Sequence, residues 1–345
     1  MPLLAASCLL AIPAAGLCAE HDQERDEGAF VRALSAVQRF GKLEAADPRH
    51  DQRTKALLAN SLAKDGSLTN CAIENNLMDA TTYQALAGDD RLLQTTEVRE
   101  ALRASIPETR RRLLPAISTH LDALATSFDR IDAEHWVASG KLVDWIAENY
   151  RPGRPLAILF VCTGNSRRSI LGATMGNLAA DYWGLPEIRC YSGGTAPSAF
   201  NARTVATLRA IGIDIQPTGE EAEPGADGAP NPIYLVRWGE ASGETAPAME
   251  TVEFSKHYRD ESNPRSGFAA VMVCTQADDE CPLVKGASRR ISIPYFDPKA
   301  YDDSEYETAK YAERRDDFGR LMLAVVLKAR RQLEAGGKAP PPLTR

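Results

Sequence analysis

The chain has 345 residues, with 40 Lys and Arg against 47 Asp and Glu, a formal charge of −7. That length is long for one compact domain and predicts two. Apolar residues at 44% and charged residues at 25% describe an ordinary globular protein, and the acidic balance argues against a nucleic-acid or acidic-membrane partner. No apolar run reaches the length of a transmembrane segment.

Residues 1–19, MPLLAASCLLAIPAAGLCA, are small and apolar, and EHDQERDE follows at once. The change predicts a secretory signal peptide cleaved after Ala19, hence a periplasmic or secreted protein, against a cytoplasmic one if the stretch is retained. Residues 20–150 read as an all-α domain of unknown role. Phe30, Leu34, Val37 and Phe40 make one apolar stripe, and Leu57, Leu58 and Leu62 another. The clearest is Leu113, Ile117, Leu121, Leu124 and Phe128, with Pro115 in its first turns or at a kink. Arg110, Arg111 and Arg112 read as a solvated helix face. His50, His120 and His135 have no metal-ligand spacing, so no metal is expected. Trp136, Leu142, Trp145 and Ile146 mark a last helix, and Arg151-Pro152-Gly153-Arg154-Pro155 reads as an interdomain linker.

The chemistry begins at Ala157. Ala157 to Val161 are apolar without a break, as in a strand buried on both faces. Cys162, Thr163, Gly164, Asn165, Ser166, Arg167, Arg168 and Ser169 follow, and then Ile170, Leu171, Thr174, Met175 and Leu178 fall at helical spacing. A tight polar loop before a helix N-terminus aims backbone N–H groups at one point, which suits a tetrahedral anion. The same field favours a thiolate at Cys162. Ser169 can donate to that sulfur, and Arg168 can grip two oxygens of the anion. Asn165 can tie the loop through its amide and tolerates a left-handed backbone.

Ile188 to Tyr191 predicts a second strand, Ser192-Gly193-Gly194-Thr195 a turn, and Asn201 to Ile213 a helix. Residues 216–264 are rich in Pro, Gly and acid. Ile233 to Trp238 and Met249 to Phe254 within them predict a hairpin, either a flap over the pocket or a surface decoration. Lys256 and His257 have no spacing that identifies a role. Ala269 to Cys274 and Arg290 to Pro294 predict the third and fourth strands, with Asp297-Pro298 just beyond. In a parallel sheet ligand chemistry gathers outside the carboxyl ends of strands, so Cys162, Cys274 and Asp297 should share one edge. A helix from about Tyr306 to Leu333 ends the α/β domain of 155–335, and residues 336–345 are expected to be disordered.

The string CTGNSRRS with its strand and helix resembles the phosphate loop of the low-molecular-weight protein tyrosine phosphatase superfamily, and its wording is closest to thioredoxin-coupled arsenate reductases. The resemblance covers residues 155–334 and implies a four-stranded parallel sheet flanked by helices. It implies an oxyanion loop of Thr163, Gly164, Asn165, Ser166, Arg167, Arg168 and Ser169, with Cys162 as nucleophile and Asp297 as general acid. Cys274 and Cys281 resemble the redox segment of arsenate reductases. By that resemblance Cys162 attacks arsenate, Cys274 attacks Cys162, and Cys281 passes the disulfide to a thioredoxin-like thiol donor, with no tightly bound cofactor. A phosphomonoester phosphatase acting through phosphocysteine at Cys162 is the alternative, although only Tyr301 follows Asp297-Pro298 as a ring contact. A non-enzymatic oxyanion sensor is a third possibility. Arg167 stands where many arsenate reductases have a further Cys, and Ala173 where several carry a Glu.

Overall fold

The computed structural model describes residues 107–337, apart from 126, 226–227, 244–245 and 281–282. The expected signal segment, the apolar stripes before residue 107, Cys281 and the tail from residue 338 lie outside the described residues.

Four parallel strands form the central sheet: β1 (Leu156–Cys162), β2 (Ile188–Gly194), β6 (Phe268–Met272) and β7 (Ala287–Ser292), in the order β2-β1-β6-β7. β1 is central and apolar throughout, as its sequence requires, and pairs with β2 from Leu156↔Ile188 to Cys162↔Gly194. The expected four-stranded α/β sheet is thereby present. β6 and β7 each start and stop slightly earlier than the apolar runs suggest, because Val273 and Ile293 continue the ladder only by single hydrogen bonds, to Val161 and Met272.

Helix α4 (Arg168–Tyr182) follows β1, and every residue from Ser169 to Tyr182 is buried. Such a helix shows no amphipathic stripe because it is covered all round. It packs on β1 and β2, and the long α7 (Glu307–Ala335) lies along it. Gly176 permits the close approach: a Cβ there would sit 2.6 Å from the Cys190 sulfur. Cys190 is buried, as expected of a strand residue, and burial pushes its thiol up.

The helices before the sheet pack with it. After the single turn α1 (Glu108–Arg111) come α2 (Pro115–Ala125) and α3 (Ala133–Asn149). Both rest on α7, and α3 also meets β7. The described residues from 107 to 337 belong to one compact unit, so the helices before Arg151 share the sheet's unit and the expected linker does not divide them. The reason is burial: Ile117, Leu121, Leu142, Val143 and Ile146 are all fully covered. Arg151-Pro152-Gly153-Arg154 is a tight turn closed by a bridge between its ends, with Gly153 at φ +73°.

Two local expectations change. Leu113 is buried but precedes the helix and bridges Gly239; Pro115 opens α2, where its missing N–H costs nothing. Arg110 is not solvated. It is 4% exposed, donates to Asp122 at 2.6 Å and stacks over the Tyr182 ring.

The segment after α5 (Ala202–Arg209) holds the expected hairpin, β4 (Pro232–Gly239) with β5 (Met249–Glu253), and a third strand that composition concealed, β3 (Asp214–Glu221). They form an antiparallel sheet, β3-β4-β5. Beyond β5 the chain runs beside β2, with a parallel bridge between Gly194 and His257. Short helix α6 (Thr275–Glu280) follows Cys274.

Candidate active site

The loop between β1 and α4 is held from outside by its carbonyl groups. The Cys162 carbonyl accepts from Thr195 N–H, that of Thr163 from Ala196 N–H, and that of Ser166 from Asn201 N–H and the Thr204 hydroxyl. The Gly164 carbonyl takes three donors: Ser198 N–H, the Ser198 hydroxyl and the Ser255 hydroxyl. By contrast, the backbone N–H groups of Gly164 to Arg168 have no protein acceptor among the described residues. Carbonyls tied outward and amides left over define an anion cradle.

Asn165 fixes the curl. Its backbone is left-handed, at φ +40°, as its residue type allows. Its Nδ2 donates to Ser169 Oγ and Ser192 Oγ, both at 2.8 Å, and its Oδ1 accepts from Lys256 N–H at 2.8 Å. Ser169 Oγ in turn lies 3.1 Å from Cys162 Sγ. Cys162 is 3% exposed.

Arg168 opens α4. It donates to the Tyr295 carbonyl at 3.0 Å and pairs with Asp297 at 2.8 Å. Asp297 also caps the 3-10 turn Pro298–Tyr301 by accepting from Lys299 N–H at 3.0 Å. Cys274 Sγ lies 3.5 Å from Thr163 Oγ1 and accepts from Ala277 N–H at 3.3 Å. The ends of β1, β6 and β7 therefore bring Cys162, Cys274 and Asp297 to one edge of the sheet, with Arg168 among them.

Arg167 is placed differently from the expected oxyanion contact. Its side chain reaches away to the Tyr311 hydroxyl at 2.6 Å and Asp302 at 3.1 Å, leaving only its backbone N–H to the cradle. Asp278, four residues beyond Cys274, is occupied by Arg290 and by the Ser292 hydroxyl.

Four contributors escaped sequence reasoning. Gly193, read only as part of a turn, has no room for a side chain: a Cβ would lie 2.6 Å from Tyr258 Cα. Ser255 and Lys256 hold the loop from the far end of the inserted sheet. Phe296 stands 62% exposed beside Asp297, with its ring 6.3 Å from that of Tyr301. A signal for it exists in the sequence, since it is an aromatic residue directly before Asp-Pro.

Among the described residues no cluster of His, Cys, Asp or Glu could hold a metal ion, and no helix is long and apolar enough to cross a membrane.

The family model for low molecular weight phosphotyrosine protein phosphatase matches residues 157–226. This segment runs from β1 through the loop, α4, β2 and α5 to just past β3, and it belongs to that superfamily. The site is that of a cysteine-based enzyme of the phosphatase and arsenate reductase superfamily. No curated protein matches the chain.

Proposed function

We propose that the protein reduces arsenate through a three-thiol relay. The observation that carries this reading is the second thiol: Cys274 is 1% exposed and touches the loop at Thr163. Hydrolysis needs no such cysteine; reduction does. The Cys162 thiolate attacks arsenic within the cradle of amides, and water leaves. Cys274 then attacks the Cys162 sulfur, the S–As electron pair stays on arsenic, and arsenite departs from a Cys162–Cys274 disulfide. Cys281 attacks Cys274 and frees Cys162; a thioredoxin-like dithiol supplies the two electrons that reopen the Cys274–Cys281 disulfide. The Ala277 N–H at the start of α6 donates to the Cys274 sulfur and holds it beside the loop. Pairing with Arg290 offsets the negative charge that Asp278 brings near Cys274.

Hydrolysis of aryl phosphates is the second reading, favoured by the Phe296 and Tyr301 rings beside Asp297. In it an oxyanion bound by Arg168 replaces Asp297 as the guanidinium's partner. The released carboxylate takes up a proton from solvent and then gives it to the leaving oxygen. A sensor that binds without turnover has less support, since a binding site needs neither the Cys162–Ser169 contact nor a second thiol. Export of the mature chain, which the first residues suggest, would call for a thiol donor outside the cytosol.

A paired assay separates these functions: arsenite release with thioredoxin, and aryl phosphate hydrolysis, for wild type, Cys274→Ser and Cys281→Ser. Loss of arsenite release alone in both variants is the expected result. Undiminished arsenite release in both would overturn the relay.

A further inference from the structure

We infer that Glu253 and Lys256, supplied by the inserted sheet, are positioning residues that set the direction of the hydrogen bonds ending on the nucleophile. The inference rests on Cys162 being that nucleophile.

The chain of contacts is continuous. Glu253 Oε1 receives the Lys256 ammonium at 2.7 Å, the Ser192 hydroxyl at 2.8 Å and the Phe254 N–H at 3.3 Å. With three donors converging, that oxygen is an acceptor, and Ser192 must spend its only proton on it. Ser192 Oγ can then only accept from Asn165, so the Asn165 NH₂ faces it at 2.8 Å. The same NH₂ donates to Ser169 Oγ at 2.8 Å. Lys256 fixes the amide from its other side, its backbone N–H meeting Asn165 Oδ1 at 2.8 Å. Ser169 Oγ, already accepting from Asn165, is left with its proton for Cys162 Sγ at 3.1 Å. The carboxylate thus fixes the sense of each bond down to the sulfur, and the final O–H points at it.

Burial makes the arrangement expensive to keep for stability alone. The Glu253 and Lys256 side chains are 7% and 4% exposed, and Asn165, Ser169 and Ser192 are fully covered. A buried ion pair seldom adds net stability over an apolar pair of the same size, whereas a fully satisfied buried polar network holds the groups it joins in one arrangement. Both charged residues stand within four positions of each other, so one short segment of the insertion brings acceptor, cation and backbone donor together. Neighbouring Ser255 adds its bond to Gly164, which keeps the segment in register with the loop.

The test compares two double variants of the full chain. Glu253→Gln with Lys256→Met keeps an acceptor for Ser192 without the charges. Glu253→Met with Lys256→Met removes the acceptor and leaves no unpaired buried charge. Two quantities are read: kcat against KM for the activity that wild type shows, and the pH profile of the phosphate-protectable alkylation by iodoacetamide, which reports the Cys162 sulfur. The Met/Met variant is expected to lose about tenfold or more in kcat with KM changed little, and its alkylation profile to move to higher pH. The Gln/Met variant should stay within a few-fold of wild type on both. Wild-type kcat and profile in a folded Met/Met variant would overturn the inference, as would equal losses in both variants. If Met/Met does not fold, Ser192→Ala, which cuts the chain one step nearer the sulfur, carries the same expectation and the same refutation. Absence of Cys162-dependent turnover in wild type would sink the proposed function instead, while the alkylation arm would still decide the polarity claim.

Discussion

Residues 156–182 and residues 214–264 build the same site in opposite ways. In the first stretch the nucleophile, cradle, guanidinium and orienting serine are neighbours in sequence, and a buried strand followed by a buried helix leaves the loop one way to curl. In the second, the contributions come from far along the chain: Lys256 meets Asn165 across 91 positions. The first stretch carries the chemistry and the second sets its shape. Local motifs reveal what a site can do, whereas long-range segments decide how rigidly it does it.

The largest effect should come from the first region. Cys162→Ser is expected to lower turnover by about 10³-fold or more, since an alkoxide is not formed where a thiolate is. Thermal stability should stay near that of wild type, because the change is isosteric at a buried position. Asp297→Asn should come next, lowering kcat for aryl phosphate by roughly 10²-fold while inhibition by inorganic phosphate persists. Equal loss of phosphate binding would mean that Asp297 acts only by holding Arg168.

The second region is broken by sterics. Gly193→Ala forces the Tyr258 backbone away from β2, with an expected cost of about 1–3 kcal/mol in denaturant unfolding. Gly140→Ala is the contrasting control. Gly140 lies within α3, and a Cβ added there would meet nothing within 4 Å, so that change should add about 0.5–1 kcal/mol.

The smallest effect is a slope with pH. Burial pushes the Asp181 carboxyl up; Trp238 Nε1 donates to one oxygen at 2.7 Å, and the other has no hydrogen bond. The folded state therefore holds a proton that the unfolded chain releases near its ordinary value. Stability from this group is present at low pH and is lost as pH rises through the raised value. Asp181→Asn should flatten the fall of melting temperature with rising pH above about 4, and an unchanged slope would show that Asp181 is ionised when folded.

Legibility followed distance in sequence. The apolar run at Ala157 to Val161, the loop string and the edge shared by Cys162, Cys274 and Asp297 could all be read directly, because strand ends in a parallel sheet face one way. The stripe at Leu113 to Phe128 read correctly as buried but not in extent, since Leu113 belongs to a bridge and Pro115 starts the helix. β3 was hidden because six of its eight residues are exposed, which leaves no alternation to detect. Arg110 was misread because a charged side chain gives no sign of the distant carboxylate that buries it. The need for glycine at 193 left no local sign for a related reason: the atoms that exclude a Cβ belong to Tyr258, a residue 65 positions onward.

The most direct measurement is a single turnover with arsenate and no added reductant, counting arsenite and mapping thiols by peptide mass spectrometry. The relay predicts about one arsenite per chain, with Cys274 recovered in a disulfide, and none from Cys162→Ser. Arsenite released at the wild-type level by Cys162→Ser would contradict the account at its centre.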